Sequence, residues 1–207
     1  MSKKKLNYKK EFPEFYRPSS KKVEFVDVPE MRFFMIDGKG NPNNSEDYQE
    51  VMQTLYGVSF GLKMDFKKKP AGRDYVVPPL EGLWDMDIME DWSMDNKDGW
   101  QWTMMIRIPD FVPQKEIKKA IERVRKKKPE KAKKIDKLRV ETYHEGKCAQ
   151  IMHIGPYDAE GPTVEKLHKA IKEKDYELEG HHHEIYIGDP RRAKPENLKT
   201  IIRQPYQ

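Results

Sequence analysis

Two short blocks set 117 residues apart constrain this chain more than anything else in it: Met35-Ile36-Asp37-Gly38 and Met152-His153-Ile154-Gly155. Each closes a strand-like run, 31–37 and 148–154, and each is followed 7 or 8 residues later by the start of an amphipathic helix. After the first block comes a run of turn residues, Gly38 to Asn44. Ser45 then suits an N-cap, with Glu46 and Asp47 favourable in the first turn. Tyr48, Val51, Met52, Leu55 and Val58 recur at helical spacing, which predicts a helix from Glu46 to about Phe60. After the second block, Val164, Leu167 and Ile171 predict a helix from about Thr163.

The rest of the chain fits the same scheme. Strands are expected from Lys21, where Val23, Phe25 and Val26 precede Pro29, and over 59–68, 73–87, 100–108, 137–143, 181–187 and 200–204. Pro113 opens a helix over about 113–128, with Ile117, Ala120, Ile121 and Val124 on one face. The expected fold class is α+β: two pseudo-repeated strand–helix–strand–strand units, about 21–110 and 137–207, joined by that helix. One unit alone leaves a sheet face bare, so the two should pair into one antiparallel sheet with a ligand groove between them. Residues 1–20, which open with a Lys run, are expected to form a loose N-terminal arm.

The formal charge of +5 suggests a nucleic-acid partner, but its distribution does not. From Lys115 to Arg139 there are 13 Lys and Arg against 4 Asp and Glu, a local net of +9, so the remainder carries −4. No aromatic interrupts the basic segment, where binding by base stacking would want several. Nucleic acid is therefore not the expected partner, although phosphate contact through the basic helix stays open. The single cysteine, Cys148, excludes a disulfide framework and a cysteine zinc site. No run is long and apolar enough for a membrane span, and nothing reads as a signal peptide, so a cytoplasmic protein is expected.

In His183-Glu184-Ile185-Tyr186-Ile187, strand alternation sends the isoleucines to one face and Glu184 with Tyr186 to the other. Adjacent His181, His182 and His183 point alternately, so no third ligand completes a metal site, and no metal or other cofactor is expected. Trp100, Trp102, Met104 and Ile106 alternate onto one strand face, an arrangement that serves a core or a stacking wall equally. Trp84 lies in the segment that roughly mirrors Glu184 in the repeat.

The motifs Glu145-Gly146-Lys147-Cys148-Ala149, His153-Ile154-Gly155-Pro156-Tyr157 and Glu184-Ile185-Tyr186 resemble the GyrI-like small-molecule-binding family. Gly38, the first helix and Leu83-Trp84-Asp85 extend the resemblance, more loosely, into the first half. Effector-binding domains of AraC-type activators share this fold, and SOUL haem-binding proteins do more distantly. Only about 20 residues precede the first strand pattern, so no helix-turn-helix and no transcription activator is expected. The resemblance implies a pocket floored by Glu184, where a carboxylate meets a cation or activates water, lined by Trp84, Trp100, Trp102, Tyr157 and Tyr186. Some stand-alone members resembling this chain hydrolyse cyclopropane-bearing DNA-alkylating natural products. That implies a detoxifying hydrolase in which Glu184 and Tyr143 carry the chemistry on a flat, hydrophobic, cationic or electrophilic compound. The alternatives are a non-catalytic sequestering module and a gyrase or nucleic-acid interaction protein acting through the basic helix. A monomer or homodimer is expected, and Trp92 in the acidic loop 88–99 is a candidate lid residue.

Overall fold

Connections of two residues decide how the sheet closes. A computed structural model of the chain describes residues 5–69, 72–85 and 99–207. Its strands are β1 (Glu24–Val28), β2 (Met31–Lys39), β3 (Leu80–Trp84), β4 (Gln101–Arg107), β5 (Arg139–Tyr143), β6 (Gly146–Ile154), β7 (His182–Tyr186) and β8 (Lys199–Pro205). They form one sheet in the order β1-β6-β8-β7-β3-β4-β2-β5, with every pairing antiparallel. Only Pro29 and Glu30 separate β1 from β2, yet β1 is first in that order and β2 last but one. Two residues span about 10 Å at most. The sheet therefore curls until its edges approach, and His144-Glu145 makes the equivalent link between β5 and β6.

The repeat is visible in this order. β2-β4-β3 from the first unit meets β6-β8-β7 from the second at the β3–β7 pair. Each unit lends its leading strand to the other, β1 to β6 and β5 to β2. The two units make the single antiparallel sheet expected from the sequence.

Helices cover the outer, convex face. α1 (Tyr8–Glu11) and α2 (Pro13–Tyr16) are single turns; the long helices are α3 (Glu46–Phe66), α4 (Gln114–Lys127) and α5 (Gly161–Lys172). Ser45 caps α3, its hydroxyl accepting from the Tyr48 amide at 3.2 Å. α3 lies on β2 and β4 through Val51, Leu55, Val58 and Leu62 against Phe34, Ile36, Met104 and Ile106. α4 packs on α3 through Ile117, Ala120 and Val124. α5 lies on β6 and β8, with Val164, Leu167 and Ile171 on Ala149, Ile151 and Ile202.

Two expectations need correcting. Residues 59–66 are helix, not strand: Phe60, Leu62, Met64 and Phe66 alternate as a strand would, but Leu62 and Phe66 also continue the stripe of Leu55 and Val58. Gly57 and Gly61 let α4 and the following turn approach closely, for a Cβ on Gly61 would sit 3.1 Å from Val124 Cγ2. Nor is the segment from residue 5 a loose arm. Leu6, Tyr8 and Tyr16 are buried, and the Arg107 guanidinium lies 4.4 Å from the Tyr8 ring centre. The leading lysines conceal an apolar series at 6, 8, 12, 15 and 16.

Three cations of the basic segment pair with carboxylates of α3. Lys133 pairs with Glu50 at 2.6 Å, Lys134 with Asp47 and Glu50, and Arg123 with Asp65 at 2.6 Å. Among the described residues, no helix is long and apolar enough to cross a membrane.

Inside the curl the residues are of mixed polarity. Phe33, Met35, Leu83, Met105 and Cys148 form an apolar patch beside a buried ionic cluster. His183 Nδ1 lies 2.8 Å from Glu145 and its Nε2 3.1 Å from Glu81. Arg203 donates to the other Glu145 oxygen at 3.0 Å, to Gln150 at 3.1 and 3.0 Å, and to the Phe15 carbonyl at 2.8 Å. Tyr16 completes it, its hydroxyl 3.3 Å from Glu81. The cluster thus ties the N-terminal turns to the inner face of β7 and β8.

Candidate functional site

β3 and β7 run side by side between the strands that α3 and α5 cover, and the outer face they share is the floor of the candidate groove. Leu80 pairs with Tyr186, Gly82 with Glu184 and Trp84 with His182. Alternation puts these six on the helix-bearing face, while Glu81, Leu83 and His183 turn into the curl. The pleat that sends His183 inward therefore presents Glu184 to the groove.

Glu184 is 7% exposed, and its Oε1 lies 3.4 Å from His182 Nε2. Burial, reinforced by the neighbouring Glu184 carboxylate, holds the Tyr186 hydroxyl well above its usual range, so it stays protonated and can donate. Gly82 lies where these groups converge. A Cβ there would come within 2.6 Å of Met104 Cε and 3.2 Å of both Trp84 Nε1 and Tyr186 Oη. The Trp84 indole N–H is buried without a hydrogen-bond partner among the described residues.

One wall belongs to the first unit. The Trp102 ring lies so close over Gly38 that a Cβ would meet it at 2.0 Å, and its Nε1 donates to the Gly40 carbonyl at 3.0 Å. Tyr48 from α3 meets Trp102 edge-on at 5.1 Å, and Trp84 meets Trp100 edge-on at 5.5 Å. The opposite wall starts at the turn after β6. Gly155 takes φ +145°, and His153 ties the turn down: Nε2 lies 3.2 Å from the Pro156 carbonyl and Nδ1 2.9 Å from Thr163 Oγ1. This turn places Tyr157 edge-on to Tyr186 at 5.7 Å. It also places Glu160, 2% exposed, beside Glu184 and Thr200. Burial and then the Glu184 charge push the Glu160 carboxyl up to about 10. Glu160 precedes α5 but makes no side-chain cap, and its Oε1 has no hydrogen-bond partner among the described residues.

The staple has a measurable weight. His153→Ala removes two partly buried hydrogen bonds and should cost about 1–3 kcal/mol. The expected signs are a Tm several degrees lower and faster amide exchange over 159–164; unchanged exchange there would show that the turn holds itself.

Of the residues singled out in the sequence, Glu184, Tyr186, Tyr157, Trp84, Trp100 and Trp102 lie around this one groove. Tyr143 does not. β5 pairs with β2, and Tyr143, opposite Met31, packs inside the curl near Glu145 and Cys148, on the far face from Glu184. Trp92 and residues 88–98 of the proposed lid fall outside the described residues. Glu160, His182, Tyr48 and Gly82 join the site without having been singled out. Gly82 left a signal, as a glycine inside an apolar strand, where something often approaches closely, and His182 another, two residues before Glu184 and so on its face by strand alternation.

Residues 21–207 match the GyrI-like small molecule binding domain. The chain belongs to the GyrI-like family. Three solved structures from Listeria innocua are similar to it over nearly the whole length. An uncharacterized conserved protein is 38% identical with a TM-score of 0.89, covering 98% of this chain and 100% of its own. A protein described as a hydrolase is also 38% identical, with a TM-score of 0.84 and coverage of 98% and 100%. A hydrolase encoded by lin2189 is 38% identical, with a TM-score of 0.88 and coverage of 99% and 100%. No curated protein matches the chain. As a GyrI-like domain it binds small molecules, and the β3–β7 groove is the candidate place.

Proposed function

We propose that this protein binds flat, hydrophobic small molecules in the β3–β7 groove and hydrolyses those that carry a strained cyclopropane ring, a detoxifying activity of the cytoplasm. The observation that carries this reading is the position of Glu184: a buried carboxylate on the floor, bracketed by His182 and Tyr186 and walled by aromatic rings. A flat ring system stacks on such walls at about 0.5–1.5 kcal/mol per contact beyond area burial. Cyclopropanes conjugated to an acceptor are electrophiles already, so one water aimed by a carboxylate in a desolvated site is the chemistry required. The likeness to a Listeria protein described as a hydrolase lends support of a different kind.

A sequestering module remains as the second reading, since the same rings and carboxylate suffice for tight binding without turnover. Incubation with a cyclopropane-bearing alkylator, followed by mass spectrometry, separates the two. Hydrolytic product formed catalytically by the parent, and reduced about 10²–10⁴-fold by Glu184→Gln, is the expected result. Stoichiometric capture without product would leave binding alone.

A further inference from the structure

We propose that Glu160 is the proton donor of the groove, forming with Glu184 a carboxyl pair that shares one proton, Glu160 neutral as the acid and Glu184 ionised as the base. This rests on the hydrolytic reading above and deepens it. The two carboxyls come from different elements, the turn before α5 and the middle of β7; they are neighbours, and both are buried, at 2% and 7% exposure. Two ionised carboxylates side by side in so dry a place repel strongly, so one of them keeps its proton. Their surroundings decide which. Glu184 has His182 Nε2 3.4 Å from Oε1 and the Tyr186 hydroxyl beside it. Glu160 has Thr200 nearby and an Oε1 with no hydrogen-bond partner among the described residues. Glu160 is the drier and the less partnered of the two, so the proton is placed there.

The groups facing the pair are consistent with this. β7 contributes His182 and Tyr186, the β6–α5 turn Tyr157, and α3 Tyr48. All three tyrosines are held above their usual range, chiefly by burial. From α5, His168 is pushed down to about 4 by burial and then by His182, and so adds no positive charge at neutral pH.

The step balances on these two side chains. Water attacks the ring CH2, its oxygen forming the new C–O bond while its proton passes to Glu184. The strained C–C bond breaks, and its electron pair moves through the conjugated system to the carbonyl oxygen, which takes the Glu160 proton. The proton on Glu184 then returns to Glu160, resetting the pair.

Infrared difference spectra of the intact protein against Glu160→Gln read the proton directly. At pH 8 the parent should show a carboxylic-acid carbonyl band that the variant lacks; absence of that band overturns the proposal. Transfer is read with a ketone-conjugated cyclopropane under single turnover. Glu160→Gln should bind it as the parent does and open it about 10²-fold more slowly, and reaction at the parental rate overturns the proposal. A parent that leaves the probe intact defeats the hydrolytic reading instead. The donor is then judged by binding: Glu160→Leu, which cannot donate, must bind the probe at least tenfold more weakly, and equal binding overturns it.

Discussion

Glu145→Ala should lower the melting temperature by about 10 °C, because it leaves two buried cations facing an empty place. His183 and Arg203, 1% and 2% exposed, both meet Glu145, at 2.8 and 3.0 Å. Burial alone would raise the Glu145 pKa; His183 and Arg203 outweigh it and hold the carboxyl down at about 2. Removing one partner of such a cluster strands the others, at about 3–5 kcal/mol. In a chain of this size each kcal/mol moves Tm by about 2–4 °C. His183 relieves part of the cost by losing its proton; Arg203 cannot. Glu141, exposed and paired with Arg139 at 2.9 Å, is the control, since Glu141→Ala should cost less than about 1 kcal/mol. Thermal unfolding of both variants by circular dichroism decides the matter: equal melting temperatures would mean that the cluster contributes no more than a surface pair. Because Arg203 also holds the Phe15 carbonyl, residues 12–16 should become open to proteolysis in Glu145→Ala before the sheet melts.

How far the sequence revealed this arrangement varied with the range of the interactions involved. Strand ends followed by capped helices were legible because turn residues, Ser45 and the spacing of Val51, Leu55 and Val58 act within a few residues. Glu184 and Tyr186 could be assigned one face because alternation is a local property. Tyr143 was misplaced because its face depends on β5 joining the other unit, an exchange that no local pattern records. Phe60 to Phe66 satisfies the strand period as well as the helical one, and the packing of α4 settled the choice. Glu160 sits before Gly161-Pro162 like an ordinary residue at a helix start, and only the third dimension puts it beside Glu184.

Stability should be flat between about pH 4.5 and 6.5 and fall steeply above it. His183 and Glu160 both hold protons in the folded state that the unfolded chain has released. Burial opposes the His183 charge, but Glu145 and Glu81 overcome it and raise the imidazole to about 9, against 6.5 unfolded. Its contribution is complete below 6.5 and is lost as pH rises to 9. Glu160, raised to about 10 by burial and then by Glu184, binds a proton that the unfolded chain gives up near 4.5, so it too makes stability fall with rising pH. Each group gives a slope of about −1.4 kcal/mol per pH unit, and the two act together between 6.5 and 9. Below 6.5 His168 acts in the opposite sense: burial and then His182 lower it to about 4, so the unfolded state binds its proton first and stability rises with pH. From 4.5 to 6.5 that rise offsets the fall due to Glu160. Below 4.5 the depressed Glu145 adds a second acid-side loss, as the unfolded chain takes up a proton that the folded one refuses down to about pH 2. Urea unfolding at constant ionic strength over pH 5 to 9 should therefore show a plateau and then a decline. In Glu160→Gln the decline should have half the slope, and the plateau should tilt to favour pH 6.5 over pH 4.5. A parent whose stability is level from 6.5 to 9 would mean that neither the inner cluster nor the groove pair holds its proton.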